Sequence, residues 1–140
     1  MRFMTIYKPG EETTTPPTQE HIAAMGKFIE ELARSGVLIQ TDGLQHSSKG
    51  ARVRLNADGT FKITDGPFTE SKEIIGGYAI INVKSKAEAI ELTKRFLKVA
   101  GGGESEVREM HDQPAYDARS ASPSQFADAA QARLQQEATR

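Results

Sequence analysis

Cysteine is absent from this 140-residue sequence, which excludes disulfides, thiol nucleophiles and thiolate-bound metals. The absence fits a reducing compartment. No apolar stretch approaches the roughly 18 residues needed to cross a bilayer. The opening run MRFMTIYKPG turns polar too soon for a secretory leader, so a cytoplasmic protein is expected. A dominant charge is also missing. Eighteen basic residues stand against 19 acidic ones, a net charge of -1, and no overall field favours nucleic acid or an anionic membrane. H-E-x-x-H, phosphate-loop and G-x-G-x-x-G patterns do not occur, and Ser47 and Ser48 lack the nucleophile-elbow pattern. The three histidines have no metal-ligand spacing. No metal or cofactor is expected. Apolar residues make up 37% of the chain, and the shortfall lies after Asp112. The sequence therefore divides into a folded unit over residues 1–112 and a C-terminal extension over 113–140.

Within the first unit, local patterns alternate between strand and helix. Met1 to Lys8 is a short apolar run ended by Pro9-Gly10, a strand and its turn. Thr18 is placed to cap a helix in which Ile22, Met25, Ile29 and Leu32 share a face, with Gly36 as the stop. Val37 to Leu44 reads as a second strand. Ala51, Val53 and Leu55 alternate with Arg52, Arg54 and Asn56, giving one apolar and one basic face. Asn56-Ala57-Asp58-Gly59 turns this strand back into one carrying Phe61 and Ile63, a hairpin. Ile74 to Val83 is nearly continuous apolar, as in a central strand covered on both faces, and Gly76-Gly77 within it suggests a bulge or a close backbone approach. Ser85 to Glu88 forms a capping box. The helix behind it places Ala89, Ile90, Thr93, Phe96, Leu97 and Ala100 together and stops at Gly101-Gly102-Gly103. Glu104 to Met110 is the last strand.

With the hairpin set aside, the order is βαββαβ, the α+β pattern of a ferredoxin-like sheet with both helices on one face and a β-hairpin inserted. Two helices leave the other face bare. A central strand apolar on both sides then calls for a partner, and a second copy of the same sheet is the simplest. A homodimer is expected. Beyond Tyr116, Ser122-Pro123-Ser124-Gln125 repeats a capping pattern, and Phe126, Ala130 and Leu134 follow at a spacing of four. Two readings stand for this helix, one docked on the body or its dimer mate, the other a solvated tail.

Several segments carry a more specific signal. Ser47-Ser48-Lys49-Gly50-Ala51-Arg52-Val53-Arg54, Thr64-Asp65-Gly66-Pro67-Phe68-Thr69-Glu70-Ser71-Lys72-Glu73 and Ile75-Gly76-Gly77-Tyr78 resemble the DGPF-type branch of the YciI-like (YCII-related) family. The resemblance continues through Val83 to Glu91 and Glu104 to Arg108, so it covers Met1 to about Asp112. It implies a dimeric α+β barrel, in which two ferredoxin-like sheets face one another around a cleft, in small, mostly bacterial, cytoplasmic proteins. Many DGPF-type members are encoded beside sigma factors of the extracytoplasmic-function class, and their biochemical role is not established. Short YciI-like relatives carry a histidine–aspartate pair in the cleft. Here Met25 stands where that histidine belongs, and His21 lies one turn earlier, so the histidine base is not carried over.

The candidate site residues follow from carboxylates and cations near this motif. Asp65-Gly66-Pro67-Phe68 has strong turn chemistry, and Phe68 can plug the core beneath it. In a functional reading Asp65 projects a carboxylate into the cleft with Glu70, Lys72 and Glu73 beside it, a grouping suited to proton transfer or cation handling. Asp42 ends the second strand, either in an Asx turn or at the cleft. Asp65 and Asp42 are thus the catalytic candidates. Arg52 and Arg54 are placed to clamp an anionic ligand or to pair with these acids, and His46 joins them from a polar loop. The leading expectation is a small molecule bound in the dimer cleft, with acid–base chemistry by carboxylates. The alternative is a non-catalytic regulatory or protein-interaction module acting with a sigma factor.

Overall fold

The computed structural model describes residues 1–112 and 123–139. Its elements are β1 (Arg2–Lys8), α1 (Gln19–Arg34), β2 (Leu38–Gly43), β3 (Ala51–Leu55), β4 (Phe61–Asp65), β5 (Gly77–Asn82), α2 (Lys86–Ala100), β6 (Glu104–Glu109) and α3 (Pro123–Ala138). Short 3-10 turns at Ser47–Lys49 and Ser71–Glu73 flank the β3–β4 hairpin. Strands β2, β5, β1 and β6 form one antiparallel sheet in that order, and β3 and β4 form a separate two-stranded sheet. This is a mixed α+β architecture compatible with a ferredoxin-like fold. Among the described residues no helix is long and apolar enough to cross a membrane.

Local chemistry sets the helix ends as expected. The Thr18 hydroxyl accepts the His21 N–H at 3.1 Å, satisfying one of the free donors at the start of α1. The Ser85 hydroxyl accepts the Glu88 N–H at 3.2 Å, and the Glu88 carboxylate reaches back to the Lys84 N–H at 3.0 Å. Gly101 ends α2 at φ 88°, a left-handed cap that costs a glycine no steric strain. Between the helices, Arg95 donates twice to the Glu31 carboxylate at 2.8 and 2.9 Å and lies over the Phe28 ring.

The core forms where inward side chains of the two central strands are large. Phe3 and Ile81 are paired in register, and they pack with Val83 and with Ala89 of α2. Strand β5 is interior to the sheet, as its apolar run suggests, but it begins at Gly77 rather than at Ile74. Ile74 is instead a buried plug beneath the polar segment. Regular pairing starts only after the Gly76 N–H has reached the Tyr7 carbonyl at 2.7 Å.

Helix α3 starts at Pro123, where a missing N–H is tolerated. Ser122 and the side chain of Phe126 lie outside the described residues. Along α3 Ala130 is partly covered and Leu134 is exposed, and Glu137 lies 3.3 Å from His111 just beyond β6. Because Phe3 is only 1% exposed at the centre of the core, Phe3→Ala is expected to cost about 3–5 kcal/mol in urea-induced unfolding.

Candidate functional site

The inward face of the sheet changes along its length. From Phe3 and Ile81 the paired residues pass to Thr5 and Ala79, then to Tyr7 and Gly77, while β2 contributes Thr41 and Gly43 beside Ala79 and Gly77. The side-chain volume on β5 and β2 thus falls step by step beneath α1. A cavity of about 650 Å³ opens between them.

Its roof is Met25, Phe28, Ile29 and Leu32 of α1, and Leu92, Thr93 and Phe96 of α2 close its flank. Tyr7 meets Phe96 edge to face at 5.1 Å, and its hydroxyl donates to the Gly102 carbonyl at 3.2 Å. Burial of the phenol raises the Tyr7 pKa above its ordinary value. A β-carbon on Gly103 would stand 2.8 Å from the Tyr7 ring, so the three-glycine turn lets the backbone pass directly over it. Pro17, His21, Asp42, Gly43 and Gly76 gather at one end, where α1 and β5 begin and β2 ends. These residues form the mouth.

The inward stripe of α1 is His21, Met25, Phe28, Ile29 and Leu32, whereas Ile22 is exposed. The sequence reading put Ile22 on the buried face because it is the apolar residue of that turn. The helix is rotated so that His21, four residues before Met25, borders the cavity. Asp42 is the one residue among the sequence-predicted site residues that also borders it. In register Asp42 faces Tyr78, so strand alternation points its side chain away from the face that carries Thr41 and Gly43.

Four of the other predicted residues, His46, Arg52, Phe68 and Glu73, border a second cleft of about 480 Å³ together with Glu12 and Ser47. Its organiser is Glu12, a residue that sequence reasoning passed over in a polar loop. The Glu12 carboxylate accepts the Ser47 N–H at 2.7 Å and the Ser47 hydroxyl at 2.5 Å. Ser47 is buried, and its oxygen in turn accepts the Phe68 N–H at 3.0 Å. His46 Nδ1 accepts the Ser48 N–H at 3.1 Å, which leaves Nε2 facing the Glu12 carboxylate 3.6 Å away. The Ser47 hydroxyl above all, with the Ser47 N–H and the His46 ring, holds the Glu12 pKa below its ordinary value.

This network also explains the glycine of the motif. A β-carbon at Gly66 would lie 1.7 Å from the Ser47 carbonyl oxygen, so only glycine allows the two loops to meet while the Gly66 N–H donates to the Gly50 carbonyl at 3.0 Å. Pro67 follows it and carries the chain to Phe68. Arg52 lies 4.0 Å over the Phe68 ring and donates to Glu70 at 2.9 Å, and that hydrogen bond lowers the Glu70 pKa. Glu73 is held by Lys8 at 3.2 Å, and the same contact raises the Lys8 pKa.

Glu70 and Glu73 of the motif thus belong to separate pairs rather than to one cluster with Asp65 and Lys72. Lys72 is exposed in the second 3-10 turn, and Arg54 is exposed on β3 opposite Lys62. Asp65 ends β4 opposite Ala51, exposed and without a hydrogen-bond partner among the described residues. No group of three or more histidine, aspartate or glutamate side chains among the described residues is placed to hold a metal ion.

The model of the YCII-related domain matches residues 1–111 of the chain. No curated protein matches it. Among solved structures, the chain is similar to the 5-chloro-2-hydroxyhydroquinone dehydrochlorinase TftG from Burkholderia phenoliruptrix AC1100 in complex with 2,5-dihydroxybenzoquinone. That likeness has 16% sequence identity and a TM-score of 0.45, over 84% of this chain and 100% of the other.

Two outcomes follow from the Glu12–Ser47–Gly66 contact. With its pKa lowered on folding, Glu12 adds stability that is complete above its ordinary value of 4.5 and is lost as pH falls through the lower folded value. Glu12→Gln should therefore flatten the loss of thermal stability between about pH 6 and about pH 3, an effect read from melting temperatures across that range. Gly66→Ala should cost about 3 kcal/mol by urea denaturation. Gly50→Ala, whose β-carbon would make an ordinary 3.6 Å contact, should cost no more than about 0.5 kcal/mol.

Proposed function

The chain belongs to the YCII-related family, and on that footing we propose that it binds a small, largely apolar molecule between its helices and its sheet. The observation that carries this reading is the cavity of about 650 Å³ beneath α1. Its volume lies within the roughly 300–1,000 Å³ range of small-molecule sites, and an apolar wall with a few polar groups at one end is the usual make-up of such a site. A ligand seated there gains dispersion contacts with each wall it touches.

The site lies on the helix side of the sheet, away from the open face where a cleft between two sheets was expected. The molecule's apolar body meets Met25, Phe28, Leu92 and Phe96, and its polar end lies at the mouth, near His21 and Asp42. His21, on the inward stripe of α1, is placed there to exchange a proton with a seated molecule, whereas the Asp42 side chain points to the other face of the sheet. The Glu12–Ser47–Phe68 network serves a different purpose in this reading. It holds the loops after β2 and β4 together, and its carboxylate is fully engaged in doing so.

Filling the space separates this reading from general surface stickiness. Ala79 lies on the cavity floor between Thr5 and Thr41, and Ala79→Phe replaces the void with a ring. Titration with 8-anilinonaphthalene-1-sulfonate should show saturable binding to the native chain, at least about tenfold weaker in Ala79→Phe. The melting temperature of the variant should be equal or higher. Equal dye binding by both proteins would refute the assignment.

A further inference from the structure

Four side chains that face the cavity carry a hydroxyl: Thr5 and Tyr7 of β1, Thr41 of β2 and Thr93 of α2. Three of them have already given their proton to the backbone. The Thr41 hydroxyl donates to the Tyr78 carbonyl at 2.9 Å, the Thr93 hydroxyl to the Ala89 carbonyl at 2.8 Å and the Tyr7 hydroxyl to the Gly102 carbonyl at 3.2 Å. A hydroxyl has one proton and two lone pairs, so each of these oxygens can still accept, and donates elsewhere only by giving up the bond it has. Thr5 alone keeps a proton without a partner among the described residues.

The charge of the walls acts in the same direction. Among the described residues, no lysine or arginine borders the cavity. An anionic group drawn inside would lose its water with no counter-charge to replace it, so it is confined to the mouth, where His21 stands. A ligand oxygen that can only accept fares little better inside. Set against Thr41 or Thr93, it leaves two acceptors facing one another out of reach of water. A ligand O–H meets the same oxygens as a donor.

We infer that the molecule held in this cavity is an uncharged, apolar alcohol whose hydroxyl donates to Thr41 or Thr93. The inference rests on the cavity being a small-molecule site and adds the chemistry of what it holds. Thr41 stands on the floor beside Ala79, and Thr93 stands on the flank formed by α2. Acceptors therefore border a seated molecule from two elements, while Met25 and Phe28 cover its apolar body.

Isothermal titration calorimetry of the full chain with 2-adamantanol and 2-adamantanone tests this. The two share one carbon skeleton and differ in whether the oxygen carries a proton. The alcohol should bind at least about tenfold more tightly than the ketone. Thr41→Val together with Thr93→Val keeps the branched shape and removes both oxygens. In that variant the preference should fall below about threefold, with the ketone bound as before, which reports an intact cavity. The comparison in the native chain needs no variant and decides the matter even where the substitutions unfold the protein. Equal affinity for alcohol and ketone, or a preference that survives the double substitution, overturns the inference and leaves the cavity reading standing. A native chain that binds neither overturns both.

Discussion

Two helices resting on one face of a four-stranded antiparallel sheet make contact only where the side chains between them have the volume to meet. The core and the cavity are both arranged around that constraint. At the end where Phe3, Ile81 and Val83 meet Ala89, the layers close into a core. At the other end the floor falls to Ala79, Gly77 and Gly43, and the same layers stand apart. Fold and site are therefore one packing gradient. The large residues hold the layers in register, and the small ones keep a space that close packing would otherwise remove.

The polar segment after β4 answers a different demand. Its glycine is required by the backbone of Ser47, and its phenylalanine is held both by the Ser47 hydroxyl and by the Arg52 guanidinium. Glu12 closes the arrangement from the far side of the sequence. A buried serine bonded to a carboxylate beside a histidine has the composition of a nucleophilic site but a different geometry. The Ser47 hydroxyl donates to the Glu12 carboxylate and not to His46, so the histidine is not the base placed at its proton. The contact is a fastening between loops.

The hairpin stands apart from the main sheet. Its alternation is regular, yet among the described residues its apolar face stays exposed.

Much of this was legible in the residues because the determinants are local. The Thr18 cap, the Ser85 box, the glycine stop of α2 and the two-faced β3 each depend on a few neighbouring residues, and each formed as read. Expectations that needed partners distant in sequence fared differently. Glu70 and Glu73, read as one cluster with Asp65, are drawn apart by Arg52 and Lys8, and Glu12 gave no sign of meeting Ser47, 35 residues away. The seating of α1 on the sheet placed His21 rather than Ile22 on the inward stripe. Sequence by itself determined the elements and the helix ends, since these rest on periodicity and short-range hydrogen bonds, and the family, which rests on its motifs. Only the tertiary structure decided where space remains and which charges meet, because both depend on the distance between layers, a quantity that no single segment encodes.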